Sequence, residues 1–282
     1  MNVVLTRGNV GDPVKVLQRG LNKLGAMLLV DGEYGKGTEA AVADARATLS
    51  MPGPSDVADD ELQAAVAAIP DPFPPLTAAG VTFIARQEVT DATLYRTRYQ
   101  SPCWPGKRSG ITIGIGYDCS FVGVDQLRRD WGVALAPDAI TQLTGVVRQV
   151  GSDALLVQVS AVVVPLTAAM KVFTTSTLPR YLADARRAFP QVDDLPPARR
   201  SALISLVYNR GAGMTDLNAQ KEERKEMRNI RALLAAGELE SVAAQFELMT
   251  RLWDPGKEGG LIQRRRDEAA LWRNGFAALK LE

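Results

Sequence analysis

The chain has no histidine anywhere in its 282 residues. That removes Ser-His and Cys-His nucleophile pairs and the usual His-ligated zinc hydrolases. Hydrolytic chemistry here has to run on carboxylates, as glycoside hydrolysis ordinarily does. Cysteine is nearly absent as well. Cys103 and Cys119 stand close enough in sequence to bridge across an intervening ribbon, but two free thiols in a reducing compartment are the expected state. Charge of one sign is lacking too: the net charge of +1 gives no overall pull toward nucleic acid. The locally basic stretches 221–231 and 264–266 read as solvated helix faces. Long apolar runs are missing. The most apolar stretch, 154–170, is interrupted by Gln158, Ser160, Pro165 and Thr167, so no membrane insertion is expected. Residues 1–8 have no basic segment followed by an apolar one, and no cleavable secretory signal is expected.

What is present suits a soluble globular protein of one large or two modest domains. Pro70, Pro72, Pro74 and Pro75 crowd together. Clustered prolines cannot continue a helix and favour extended polyproline II geometry. This predicts a first domain over 1–70, a stiff linker over 71–77 and a second domain over 78–282. In the first, Asp12 before Pro13 suits a helix start. Val14, Leu17, Leu21 and Leu24 then form one apolar stripe, ended by Gly25. A turn follows at Asp31, Gly32, Glu33, Tyr34 and Gly35. Thr38 is expected to cap a second helix carrying Val42, Ala45 and Leu49, and Asp59 to begin a third with Leu62, Val66 and Ile69. The expected product is a three-helix bundle with a thin core.

The order of these signals over residues 4–69, with Gln18 in the first helix and Asp31, Gly32, Tyr34, Gly35, Thr38 and Val42 around the turn, resembles the three-helix peptidoglycan-binding domain. The resemblance implies cell-wall contacts from Asp31, Tyr34 and Thr38. Ala45 and Arg46 stand where that family usually has an aromatic and a glutamine, so no contact is expected from that helix end.

The second domain opens with Thr77 as a helix cap and Val81, Ile84 and Ala85 facing inward. Glu88 falls on the same face, at the i+7 position from Val81. A carboxyl on a buried face loses hydration of its charged form, which favours the protonated acid that a general acid must be. Alternation begins at Ile111. Ile111, Ile113, Ile115 and Tyr117 occupy one strand face, and Thr112, Gly114, Gly116 and Asp118 the other. A straight strand from Thr112 to Asp118 would span roughly 20 Å at about 3.3 Å per residue, too far to serve one bond. The two polar groups can converge only if the chain reverses at Gly114 and Gly116, which accept positive φ. The remainder reads as helical: 199–208, 222–236, 239–249 and 261–272. The expected fold class is mainly α (α+β), with a small β-hairpin lobe facing a helical lobe across a cleft.

Four blocks, in order, carry a second resemblance. They are Glu88; Thr112 with Gly114 and Gly116; the segment 203–211 ending in Tyr208, Asn209, Arg210 and Gly211; and the segment 260–272 with Arg264, Arg265, Glu268, Leu271 and Trp272. Over about 78–276 the chain is similar to the phage-type lysozymes. The interval between Glu88 and Thr112 lacks the family's aspartate midway. Asp118 follows the threonine instead, an order similar to the pesticin-like members. The resemblance implies a lysozyme-like domain that hydrolyses the β-1,4 bond between N-acetylmuramic acid and N-acetylglucosamine. Glu88 would be the general acid, Asp118 would polarise a water or stabilise the oxocarbenium-like transition state, and Thr112 would hold that water. Tyr117 and Asn209 are expected to contact substrate. Arg264 or Arg265 matches an arginine that pairs with the catalytic glutamate. Bacterial peptidoglycan is the implied partner, with no cofactor or metal, no nucleic acid, and a monomeric state. The implied biology is a phage endolysin made in the host cytoplasm and let through to the wall by a holin or another route. Rival readings are a lytic transglycosylase on the same bond, a non-catalytic wall-binding protein, and a secreted antibacterial effector.

Overall fold

The computed structural model describes residues 3–282. The chain is mainly helical. Three helices come first: α1 (Asp12–Lys23), α2 (Lys36–Leu49) and α3 (Asp60–Ala68). They enclose a small core of Leu5, Val14, Leu17, Leu21, Tyr34, Val42, Leu62 and Val66. α1 lies so close to α3 that a Cβ on Gly20 would meet Val66 Cγ2 at 2.8 Å. Asp59 caps α3 by accepting from Leu62 N at 2.9 Å, as its position before the apolar stripe predicts. Thr38 is no cap. α2 begins at Lys36 with Gly35 as its N-cap, and the Thr38 hydroxyl donates back to Glu33 O at 3.2 Å.

The proline-rich stretch is not an extended linker. Leu76 N donates to Phe73 O at 2.8 Å, closing a tight turn, and both side chains are buried in the larger core. Arg200 Nη1 donates to Pro75 O at 2.8 Å and pins the turn from outside. Burial of Phe73, between the prolines, and of Leu76, just after them, outweighs the polyproline preference. The bundle consequently sits directly on the rest of the chain. Arg86 Nη1 donates to Met27 O at 2.7 Å, Val30 N to Lys280 O at 2.6 Å, and Arg96 pairs with Asp44.

Beyond the turn come α4 (Ala78–Val89), the short α5 (Ala92–Leu94), and a hairpin of β1 (Thr112–Ile113) and β2 (Tyr117–Asp118). There follow α6 (Val124–Trp131), α7 (Pro137–Thr144), α8 (Asp153–Gln158), α9 (Leu166–Val172) and α10 (Leu178–Ala188). The last four are α11 (Pro197–Arg210), α12 (Lys225–Ala236), α13 (Val242–Leu248) and α14 (Gly259–Asn274). Thr77 caps α4, accepting from Gly80 N at 3.3 Å. The apolar helix α11 runs through the middle of the large core, touching α4, α10 and α14. Among the described residues no helix is long and apolar enough to cross a membrane.

The chain reverses between the two strands, as the spacing of Thr112 and Asp118 demands. Gly114 and Gly116 take φ of +57° and +64°. Thr112 lies opposite Asp118 and Ile113 opposite Tyr117. The backbone of Thr112 turns away from β2: its N–H donates to Cys103 O at 2.8 Å and its C=O accepts from Cys103 N at 2.9 Å. Thr112 and Asp118 therefore form a non-hydrogen-bonded pair, the kind in which side chains stand closest. Both cysteines are free thiols, and burial pushes that of Cys119 up to about 12.

Candidate active site

Glu88 lies one turn beyond the buried Ile84 and Ala85 on α4. Its side chain keeps 19% of its surface exposed. Oε1 accepts from Arg264 Nη1 at 2.6 Å. The rest of that guanidinium is fixed on α11: Nη2 donates to Ser205 O at 2.9 Å and Nε to Ser205 Oγ at 3.2 Å. Burial pulls the Arg264 pKa down, but Glu88 and Glu268 outweigh it and hold the group above its ordinary value. Arg264 is thus the arginine that meets Glu88. Arg265, also expected at the substrate, is turned elsewhere. It is 0% exposed and donates from Nη2 to Glu268 Oε1 at 2.7 Å. Consecutive helical residues point about 100° apart, so the two arginines cannot share one face.

Two tyrosines close the wall beside Glu88. The rings of Tyr181 on α10 and Tyr208 on α11 lie 4.1 Å apart, centroid to centroid. Burial first, and then the charge of Glu88, raise both hydroxyl pKa values, so both remain neutral. Tyr208 Oη donates to Ile115 O at 2.8 Å and ties the hairpin tip to α11. At Gly116 an added Cβ would lie 2.8 Å from Tyr208 Oη and 3.1 Å from Glu88 Oε2. Glycine is needed there both for its positive φ and for this close approach. Oε2, the oxygen that Arg264 leaves free, faces the hairpin backbone.

Across the hairpin, Asp118 lines the same cleft but is held by three donors. Its Oδ1 accepts from Ser120 N at 2.8 Å, from Ser120 Oγ at 2.7 Å and from Gly110 N at 3.1 Å. Oδ2 shares the Gly110 N–H, also at 3.1 Å. The carboxylate is the N-cap of a short 3₁₀ turn, Cys119–Phe121. Thr112 Oγ1 has one long contact, 3.5 Å to Gly110 O, and remains available.

The cleft is a cavity of about 880 Å³ that gathers Glu88, Thr112, Gly116, Tyr117, Asp118 and Asn209 along its walls. Tyr117 contributes a ring rather than a hydroxyl, because its Oη donates to Asp130 Oδ2 at 2.7 Å. Arg180 Nη1 reaches the same oxygen at 2.6 Å, and its guanidinium covers the Tyr117 ring. Burial works to raise the Asp130 pKa, but Tyr117 and Arg180 overcome it and hold the carboxyl below its ordinary value. Sequence reading gave no site role to Tyr181, Tyr208, Ser205, Glu268 or Asp130, although Ser205, Tyr208 and Glu268 lie in the blocks that carry the resemblance. For α11 a signal existed: Ser205, Tyr208 and Asn209 fall at i, i+3 and i+4, a polar seam beside the buried Ala202, Leu203, Leu206 and Val207.

The three residues expected to touch the cell wall from the bundle are mostly engaged in folding it. Tyr34 is 2% exposed and donates from Oη to Asp56 O at 2.8 Å. Thr38 is buried, and Gln18 Nε2 donates to its hydroxyl at 3.3 Å. Tyr34 and Thr38 are therefore core residues and not contact residues. A turn with an inward tyrosine needs these internal partners to leave no buried polar atom unpaired. Asp31 is exposed, although its Oδ1 accepts from Gln18 Nε2 at 2.8 Å. Compared with protein families and with curated proteins, the chain matches none.

Proposed function

We propose that the protein is a peptidoglycan hydrolase that cleaves the β-1,4 bond between N-acetylmuramic acid and N-acetylglucosamine. The observation that carries this reading is the convergence of Glu88 Oε2 and the Thr112–Asp118 pair on one open cleft, from a helix and a hairpin respectively. Arg264 occupies Oε1, so the proton to be delivered sits on Oε2. Glu88 gives that proton to the glycosidic oxygen as the C–O bond breaks. Asp118 takes a proton from water as its oxygen bonds to the anomeric carbon, and Thr112 orients that water. The motifs that resemble phage-type lysozymes supply Glu88 and Thr112, and the pesticin-like order supplies Asp118. The bundle, packed against the catalytic region, is proposed to keep the enzyme on the polymer through exposed residues such as Asp31, raising local substrate concentration. The setting is proposed to be the bacterial wall, reached by release from the cytoplasm.

One observation favours a second reading. The three donors on Asp118 leave that carboxylate little capacity to activate water. A lytic transglycosylase needs only Glu88, acting as acid and then as base, and forms a 1,6-anhydro end. Mass spectrometry of fragments released from purified peptidoglycan decides between them. Reducing muramic ends that disappear in Glu88→Gln and in Asp118→Asn support the hydrolase. Anhydro ends that persist in Asp118→Asn support the transglycosylase. Undiminished release by Glu88→Gln sinks both.

A further inference from the structure

Behind Arg264 lies a second carboxylate that the proposed chemistry does not use. Glu268 on α14 is 0% exposed. Its Oε1 accepts from Ser205 Oγ at 2.7 Å and from Arg265 Nη2 at 2.7 Å, and stands 3.5 Å from Arg264 Nε. Its Oε2 is buried without any partner, as is Nε of Arg265. A buried pair left this incomplete is a poor device for stability, since well-packed apolar residues in its place would cost less. Its placement suggests another purpose. Ser205 Oγ donates to Glu268 and accepts from Arg264, so one hydroxyl links the buried carboxylate to the guanidinium that grips Glu88.

We infer that Glu268 is a positioning residue for Glu88: it holds Arg264 from behind and keeps the guanidinium on Oε1. This rests on the reading of Glu88 as the general acid. Among the described residues Arg264 is the cation that pairs with Glu88. From α11 and α10 it is faced by Tyr208 and Tyr181, both neutral. Asp118 from the hairpin and Arg180 and Asp184 from α10 line the same cleft. On its own helix Arg86 is turned to Met27 O, and Gln87 binds Asp267. Arg264 thus divides its charge between two carboxylates, one in the cleft and one behind it. Burial raises the Glu268 pKa and outweighs the opposing pull of Arg265 and Arg264.

The sign of the effect follows. A general acid must be protonated, so activity falls as pH rises through the Glu88 titration. Removing the Glu268 charge leaves Arg264 with Glu88 as its one carboxylate partner, and the basic limb moves down. Removing the Ser205 hydroxyl has the opposite effect. Arg264 Nε and Glu268 each lose a partner and close their 3.5 Å gap, drawing the cation from Glu88.

The test compares pH profiles of peptidoglycan solubilisation for wild type, Glu268→Gln and Ser205→Ala, with carboxyl NMR titration of Glu88 in each protein. Glu268→Gln is expected to move the basic limb of activity to lower pH. Ser205→Ala is expected to move it to higher pH by less. Folded variants that lose activity equally at every pH, with the Glu88 titration unmoved, overturn the inference and leave Glu268 a structural residue. Should Glu268→Gln fail to fold, Ser205→Ala decides alone. If wild type releases no fragments but the titrations move in those directions, the hydrolase reading falls and the positioning of Glu88 stands.

Discussion

Two glycine-punctuated turns stand out in this chain, and they were put to opposite uses. The turn at Asp31–Gly35 in the bundle consumes its polar groups internally. Gln18 alone donates to Asp31, Glu33 O and Thr38, and accepts from Gly32 N. The turn at Gly114–Gly116 leaves Thr112 nearly free and sets its backbone against an unpaired oxygen of Glu88. One turn is closed around a buried glutamine and the other is open toward a cleft. The difference teaches where to look for chemistry: at polar groups that folding has left without a partner, rather than at turns as such.

Substitutions break or sharpen this contrast. The largest effect is expected for Glu88→Gln, which removes the transferable proton. Release of wall fragments should drop by roughly 10²–10⁴-fold, the usual share of general acid catalysis, while circular dichroism stays native. Gly116→Ala comes next. It forces a side chain into positive φ and against Tyr208 Oη, costing about 3 kcal/mol of stability with a parallel fall in activity, read by denaturant melts and turnover. Gln18→Ala strikes the closed turn and strands its buried partners. A loss of about 2 kcal/mol is expected, with turnover per folded molecule unchanged. If turnover falls as well, the two turns are not independent and the contrast fails.

The smallest effect concerns pH. The Asp130 pKa is held below its unfolded value, so its stabilisation is present above that unfolded value, about 3.9, and is lost as pH falls through the lower folded one. Asp130→Asn should cost on the order of 1 kcal/mol at neutral pH, modest because Arg180 keeps much of its side chain in solvent. The stability gap between the variant and wild type should narrow in acid. A gap that stays constant from neutral pH into strong acid rules out the ion pair as its origin.

Much of this arrangement was legible in the chain. The distance argument for Thr112 and Asp118 demanded a hairpin, and the glycines told where it turns. The caps at Asp59 and Thr77 followed from their place before apolar stripes. What stayed hidden depended on partners distant in sequence. Nothing local tells Arg264 from Arg265, because each is defined by what it meets, Glu88 in one case and Glu268 in the other. Tyr34 looked like a surface aromatic because its acceptor, Asp56 O, belongs to the loop before α3. The prolines near Phe73 suggested a rod, and the burial of Phe73 and Leu76 made a turn. The capping role of Asp118 was readable from Ser120 two residues on, and was missed in favour of a catalytic role alone.

The hydrogen bond from Tyr208 to Ile115 has a mechanical meaning. Strands of two residues each have no independent stability. The hairpin is therefore not a flap hinged on its own sheet; it belongs to the same cooperative unit as the helix it hangs from, and its amides should exchange with solvent only when the whole domain opens. The gap between the two lobes is then gauged by a rigid spacer one tyrosine long. On the proposed function, a polymer entering that gap would meet a slot of fixed calibre, sorted by cross-section before any bond is touched.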